Sequence, residues 1–429
     1  MRISTLQAFN NGVTGIQRNY SNATRTQEQI STGNRILTPA DDPVASVRLL
    51  QLEQQQSVLG QYDANLTAAK NSLTQEEVTL NSVNTVLQRV RELAVQAGNG
   101  ALDPQDRKSI AAELGEREDE LLALMNTRNA RGEYLFSGFQ GKTQPFVRAA
   151  DGSYSYQGDE GQRELQIASS LKIPISDNGK SIFQAVTNAG RLDSAITSKP
   201  GGSSLQVSAA LIQDEVGFEG FPEQGVKIVF SPAPNQNDYK IFAFDADVQT
   251  AAPLGSGAMD SDPDSSDQLI FSGVALHFDG EPVGGEEVVV SPGNIAIAVD
   301  GTVTINNSPM DNKQGILDTI ANLRSALENP STGSTGVRDA VAVALTNLDH
   351  GMVSVDQARG NIGARLNVIE TTQTDNQDVT LVNQGVQAEL RELDYAEALS
   401  RLSLQTVVLE AAQQSYVKIA GLSLFNVMR

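Results

Sequence analysis

Leucine recurs at every seventh residue from Leu52 to Leu87, through Leu59, Leu66, Leu73 and Leu80, and Ala94 extends the column. A second column, Tyr62, Ala69, Glu76, Val83 and Val90, runs beside it. Two columns held this strictly define a narrow seam that faces another helix along its length. A core helix of a compact globule spans only about three to four turns and has no need of such a repeat. The rhythm predicts one helix from about Val44 to Ala97, roughly 80 Å long at about 1.5 Å per residue, and therefore an elongated molecule. The far end of the chain repeats the pattern with Val341, Leu348, Val355, Ile362 and Ile369, accompanied by Leu345, Met352, Arg359 and Leu366. The N-terminus does so with Leu6, Val13, Tyr20 and Gln27 in one register and Phe9, Ile16, Ala23 and Ile30 in the other.

Between these helical flanks the sequence changes character. It becomes rich in Gly and Pro and reads as short strands: GVKIVFSP (225–232), DYKIFAFDADV (238–248), QLIFSGVALHFDG (268–280), EEVVVSP (286–292) and NIAIAVDGTVTINN (294–307). Several alternate apolar with polar residues and close on turn signals such as Asp300-Gly301. Residues 151–310 carry 22 acidic and 7 basic side chains, most of the formal charge of −21. The expected class is mainly α with an inserted β domain.

That charge argues against nucleic acid or an anionic membrane surface as partner, because both would repel the chain. The absence of cysteine excludes disulfides, thiolate metal sites and cysteine nucleophiles, and two histidines do not make a multi-histidine centre. No apolar run approaches the ~20 residues needed to cross a bilayer, so no membrane insertion is expected. The opening MRISTLQAFNNGVTG spaces its apolar residues and is no ordinary secretory signal. The chain is thus expected to be cytosolic, or exported by a route this rule does not see.

The segment QISTGNRILTPADDPVAS (29–46) separates the first helix from the second. Gly33 follows Ile30 where a left-handed helix cap is expected, and Pro39 disfavours helix at Thr38. Asp42 before Pro43 matches an N-cap followed by proline at the first helical position, and Asp41 also suits the positive end of the new helix. The competing interpretation, a carboxylate pair for acid–base chemistry, needs two groups converging on one substrate. Adjacent residues diverge, and no histidine lies nearby to complete a relay. Capping accounts for every turn residue at once, so Gly33, Pro39, Asp42 and Pro43 read as a helix joint.

From Leu402 to Phe425 only Glu410 and Lys418 are charged. Leu404, Val408, Ala411, Ser415, Ile419 and Leu422 step by three or four along one face, and apolar residues cover much of the rest. Such a helix must be buried on most sides. The N-terminal helix can cover only part of it, and the remainder marks an interaction surface. The predicted subunit-interface residues are Leu6, Phe9, Val13, Ile16, Tyr20 and Ile30 with Leu404, Val408, Ala411, Ile419, Leu422 and Phe425. A monomeric bundle that tucks its termini into its own core is the alternative.

Four stretches, MRISTLQAFNNGV, ISTGNRILTPADDPVAS, GEYLFSGFQGKTQPF (132–146) and RLSLQTVVLEAAQQSYVKIAGLSLFNVMR, together resemble the bacterial flagellin family. Within it the wording is nearer to subunits of the hook–filament junction than to the filament subunit. The resemblance covers about residues 1–170 and 311–429. It implies paired N- and C-terminal coiled-coil helices, a helical rod with β-hairpins and an outermost variable β domain. The corresponding boundaries are 1–43 with 379–429 for assembly, 44–170 with 311–378 for the rod and 171–310 for the insert. It also implies type III export without a cleaved signal peptide and an extracellular place on the flagellum. The implied partners are the chain itself in a ring or short helical assembly, a neighbouring hook-associated junction protein, flagellin, and an export chaperone at the C-terminal segment. A flagellin, or a carbohydrate- or surface-binding protein acting through its β insert, are the alternatives.

The insert offers little chemistry. MDSDPDSSD (259–267) begins like a calcium loop, but Ser265 and Phe271 replace the required Gly and Glu, and Pro263 interrupts it. LGSGAMD (254–260) lacks the third glycine and the crossover context of a nucleotide loop. His277 lies opposite the Val274, Leu276 and Phe278 face and reads as an exposed strand histidine, and His350 sits near a turn with no second metal ligand. No catalytic, cofactor-binding or metal-ligating residue is assigned, and no enzyme is expected.

Overall fold

A computed structural model of the chain describes the backbone of residues 5–260, 262, 265–298, 303–309, 312–329 and 334–427. The side chains of residues 5, 6, 8, 294, 306–309, 334, 335 and 419–427 lie outside the description. The long elements are helical: α1 (Thr5–Thr32), α2 (Pro43–Ala97) and α3 (Pro104–Met125), then, after a one-turn helix α4 (Glu215–Phe218), α5 (Ile316–Glu328), α6 (Ser334–Arg391) and α7 (Tyr395–Val427). N- and C-terminal helices flank a central β-rich domain. By packing the chain divides into two units, residues 1–67, 166–171 and 369–429, and residues 68–165 and 172–368.

The first unit contains α1, α7, the start of α2 and the end of α6. α1 and α7 pack on each other. The half-buried residues of α7, Leu402, Gln405, Leu409, Ala412 and Tyr416, recur at three and four and form its seam. Tyr416 meets Phe9, ring centroids 5.2 Å apart, and lies over Gly12, where an added Cβ would come within 3.0 Å of its ring.

In the second unit both columns of α2 and the first column of α6 are dry. Leu73, Leu80, Leu87, Val83 and Val90 are fully buried, as are Val355 and Ile362 on α6. The second column of α6 differs from the sequence expectation. Leu345, Met352, Arg359 and Leu366 are only half-buried, and the covered positions are Val337, Ala344, Gly351 and Ala358. Small residues occupy the side where other elements approach closely. Gly351, for instance, leaves only 3.0 Å between an added Cβ and Ile316 of α5.

α3 begins at Asp103, whose carboxylate accepts the N–H groups of Gln105 (2.7 Å) and Asp106 (2.8 Å) before Pro104 starts the helix. It packs on α5. Glu118 is buried there and is neutralised by Arg148 (2.5 Å) and Arg324 (3.0 Å), with the Tyr154 hydroxyl donating at 2.5 Å. The segment 127–141 folds into tight turns whose end is fixed by Gly138 at φ +69°.

The insert is a sandwich of two antiparallel sheets. One runs in the order 255–258, 238–243, 226–230, 287–291, 193–198. The other pairs 267–271 with 274–279, which also meets 206–207 and 211–212. Alternate residues of both sheets, among them Ile228, Phe230, Val288, Val290 and Phe278, fill one core between them. A polar row fastens the insert to α6. Buried Asn347 donates to Asn188 (3.1 Å) and Gln314 (3.0 Å) and accepts the N–H of Ala189 (2.7 Å), while His350 Nδ1 lies 3.0 Å from the Thr187 carbonyl. Arg338 pairs with Asp279. His277 is half-buried rather than exposed, because the outer face of its strand lies near α6, and burial beside the Arg338 charge pulls its pKa down.

Candidate assembly surface

Two chain crossings meet in the first unit, and at each a helix ends and another starts. At the first crossing α1 ends on Gly33, whose φ of +72° puts it in the left-handed region while its N–H closes on the Gln29 carbonyl (2.8 Å). Thr38, Pro39, Ala40 and Asp41 form a turn closed by the Asp41 N–H on the Thr38 carbonyl (2.9 Å), with proline at the position its fixed φ suits. Asp42 then accepts the Ala45 N–H (2.9 Å), and α2 begins at Pro43. Asp41 does a different job. It accepts the N–H groups of Leu37 (3.0 Å) and Thr38 (3.1 Å) and pairs with Arg25, so its carboxyl is held below the ordinary range, chiefly by the Thr38 amide.

The second crossing is shorter. α6 ends at Arg391, and Asp394 starts α7 by accepting the N–H groups of Ala396 (2.9 Å) and Glu397 (3.2 Å). The two crossings bond to each other. The Leu393 N–H donates to the Gly33 carbonyl (3.0 Å), and the Arg35 N–H donates to the Arg391 carbonyl (2.8 Å). The Arg35 guanidinium donates to the Leu390 carbonyl (3.1 Å), and Gln29 Nε2 donates to the Arg35 carbonyl (2.6 Å). The Leu390 and Arg391 carbonyls at the end of α6 are thus satisfied by the link that leaves α1, and α1 is held in register with α7 from its base.

Above this clasp the predicted interface residues separate into two sets. Val13, Ile16 and Ile30 are half-buried. Phe9 touches Tyr416 yet keeps about half of its surface open. Tyr20, Leu404, Val408 and Ala411 face outward, with Leu404 66% exposed. Leu6, Ile419, Leu422 and Phe425 lie on α1 and α7, but their side chains are outside the described residues. The structure adds exposed apolar groups that the sequence reading missed, Val44, Val47 and Leu50 on α2 and Val379, Leu381 and Val382 on α6, and it exposes Val407 and Val417 among the apolar residues expected around α7. The α2 group sits off the heptad columns, and that offset is the signal by which it could have been found. A bundle that covers its own termini would not leave this band open.

An open cleft of about 900 Å³ in the second unit is lined by Asp151, Tyr154, Lys313, Asp318 and Arg324. Its charged groups are engaged structurally: Arg324 with Glu118, Asp318 with the Tyr154 N–H (2.9 Å) and Lys313 with Thr187 (2.9 Å). Among the described residues no group of His, Asp and Glu could hold a metal, and no helix is long and apolar enough to cross a membrane.

Comparison with known proteins points in one direction. The bacterial flagellin N-terminal helical region matches residues 3–141. The flagellar hook-associated protein 3 of Salmonella typhimurium is 35% identical over 188 residues, 44% of this chain and 58% of that protein. Its Escherichia coli namesake is 31% identical over 214 residues, 50% of this chain and 65% of that protein. The chain therefore spans less than two thirds of either relative. A crystal structure of hook-associated protein 3 from Legionella pneumophila superposes with a TM-score of 0.63 at 23% identity, over 79% of this chain and 98% of that one. At that identity the likeness is one of fold.

Proposed function

We propose that this chain is a member of the bacterial flagellin family and a non-catalytic structural subunit of the flagellum that joins hook to filament by polymerising through its terminal helices. The observation that carries the proposal is the open apolar band on α7, where Leu404, Val407, Val408 and Val417 face outward from a helix already paired with α1. Apolar surface of this extent on a helix seeks cover, and copies of the same chain stacked in a ring or short tube supply it to one another. The interface residues are Phe9, Tyr20, Leu404, Val408 and Ala411 on that surface, and Leu6, Ile419, Leu422 and Phe425 toward the helix ends. Val13, Ile16 and Ile30 act within the chain, holding α1 to α7 so that the band is presented. Gly33, Pro39, Asp42 and Pro43 set the joint beneath it.

A neighbouring hook-associated junction protein and flagellin are the proposed contacts at the two ends of the ring, outside the cell. An export chaperone that covers the C-terminal segment before assembly is the finer part of the proposal. Removing residues 402–429 tests the whole. The expected product is a folded protein that keeps its second unit, fails to assemble and fails to restore motility to a deletion strain. Motility restored by that truncation overturns the proposal. The filament-subunit alternative predicts that the purified chain alone grows long filaments, whereas a junction subunit stops at a short ring.

A further inference from the structure

Glu76 is the one charged residue in the heptad columns of α2 and is 1% exposed. Leucine or valine at that place would serve the seam better, since burying a carboxylate costs free energy unless it is paired or neutral. Its Oε1 accepts the N–H of Asp177, 3.1 Å away. Asp177 is itself buried, and its carboxylate is gripped by both terminal nitrogens of Arg365 from α6 (2.9 and 3.0 Å) and by Gln162 Nε2 (2.6 Å). Among the described residues, the other charge bearing on the site is Arg163, which is joined to Glu133 at 2.7 Å. Arg163 is thus already neutralised. Two buried carboxyls therefore share one available guanidinium, and its bidentate hold on Asp177 leaves Glu76 without a counter-charge.

We propose that Glu76, Asp177 and Arg365 form a proton-dependent fastener that pins the loop 175–178 to α2 and α6, holding while Glu76 keeps its proton and loosening when Glu76 ionises. The loop is a useful thing to fasten. Asn178 pairs with Ser137 of the 127–141 segment, and the Gly179 N–H donates to the Phe136 carbonyl (2.9 Å), so the pin also positions that segment. Burial, then the Asp177 charge, pushes the Glu76 carboxyl up to about 8 from an ordinary 4.5. The folded protein keeps a proton that the unfolded chain releases, so the stabilisation is complete below about pH 4.5 and is lost as pH rises through about 8.

The test is denaturant unfolding of the full chain between pH 5 and 9, followed on the second unit, in wild type and in E76Q. The amide mimics the protonated acid and cannot titrate. The wild-type folding constant is expected to fall relative to E76Q by up to about tenfold per pH unit between the two ionisation points. Infrared difference spectra at neutral pH should contain a protonated-carboxyl band that E76Q removes. In D177N, where Asp177 loses its charge and frees Arg365 for Glu76, the pH-dependent loss should move to lower pH. Equal slopes in wild type and E76Q, a missing carboxyl band, or an unmoved midpoint in D177N each overturn the proposal.

Discussion

Leu52 and Leu59 are half-exposed, whereas Leu66, Leu73, Leu80 and Leu87, the next members of the same column on the same helix, are fully buried. The repeat does not change between them. What changes is the number of elements that the chain supplies as cover. In the second unit α5 packs closely on α6 at Gly351, and the loop that carries Asp177 and the 127–141 segment are each hydrogen-bonded to α2. In the first unit α7 has α1 on one side and leaves Leu404, Val407 and Val417 open on the other. A heptad column specifies a neighbour, but it does not specify a roof. The open positions of the first unit are those the proposed assembly uses, whereas the second unit covers its own core.

The sharpest way to break this contrast is to truncate the same side chain in each unit. Leu80→Ala removes a fully buried group and should cost about 2–5 kcal/mol, the range for cavities that cannot collapse. Leu404→Ala removes an exposed one and should change the stability of the single chain by no more than about 0.5 kcal/mol. Denaturant unfolding measures both. Ring formation should respond in the reverse order, with Leu404→Ala failing to assemble on purified hooks. A large loss of single-chain stability from Leu404→Ala would mean that α7 is covered within one molecule, and the contrast would vanish.

Residue spacing made the helices legible, since a column held over four to seven positions outweighs local noise. The 29–46 joint was equally plain, because Gly33, Pro39, Asp42 and Pro43 each carry a local backbone preference that needs no tertiary information. The second crossing passed unnoticed although its signal was present: Asp394 followed three residues later by Glu397 is a capping pattern, masked by apolar residues on both sides. The second column of α6 was misassigned because Ala344, Gly351 and Ala358 score as weakly apolar while Leu345 and Met352 score strongly. Close approach selects for small side chains, and hydropathy does not register that. The pairing of the insert strands was beyond reach, since 287–291 joins strands from two distant parts of the chain through contacts that leave no local trace.

The joint offers a smaller test. Gly33→Ala places a Cβ in the left-handed region, a cost of about 1–2 kcal/mol, and that Cβ would lie 2.9 Å from the Tyr395 hydroxyl. The expected loss is confined to α1, α7 and the clasp. Hydrogen exchange should quicken at the Leu393 and Arg35 amides, which bond across the two crossings, while the second unit keeps its protection. Equal acceleration in both units would show that they unfold together.

Smaller still are the two caps, and they probe the clasp from opposite sides. Asp42→Ala removes the acceptor of the Ala45 N–H, and Asp394→Ala removes the acceptor of the Ala396 and Glu397 N–H groups. Each should cost about 1 kcal/mol. Asp42 has Pro43 behind it, which starts α2 with its φ already set and leaves one fewer orphan amide. Asp394 has no such support, because Tyr395 follows it. Exchange at the start of α7 should therefore accelerate more in Asp394→Ala than exchange at the start of α2 does in Asp42→Ala. If the two respond alike, the proline adds nothing to the first crossing. The clasp, with Arg35 across the end of α6, would then hold both helix starts by itself.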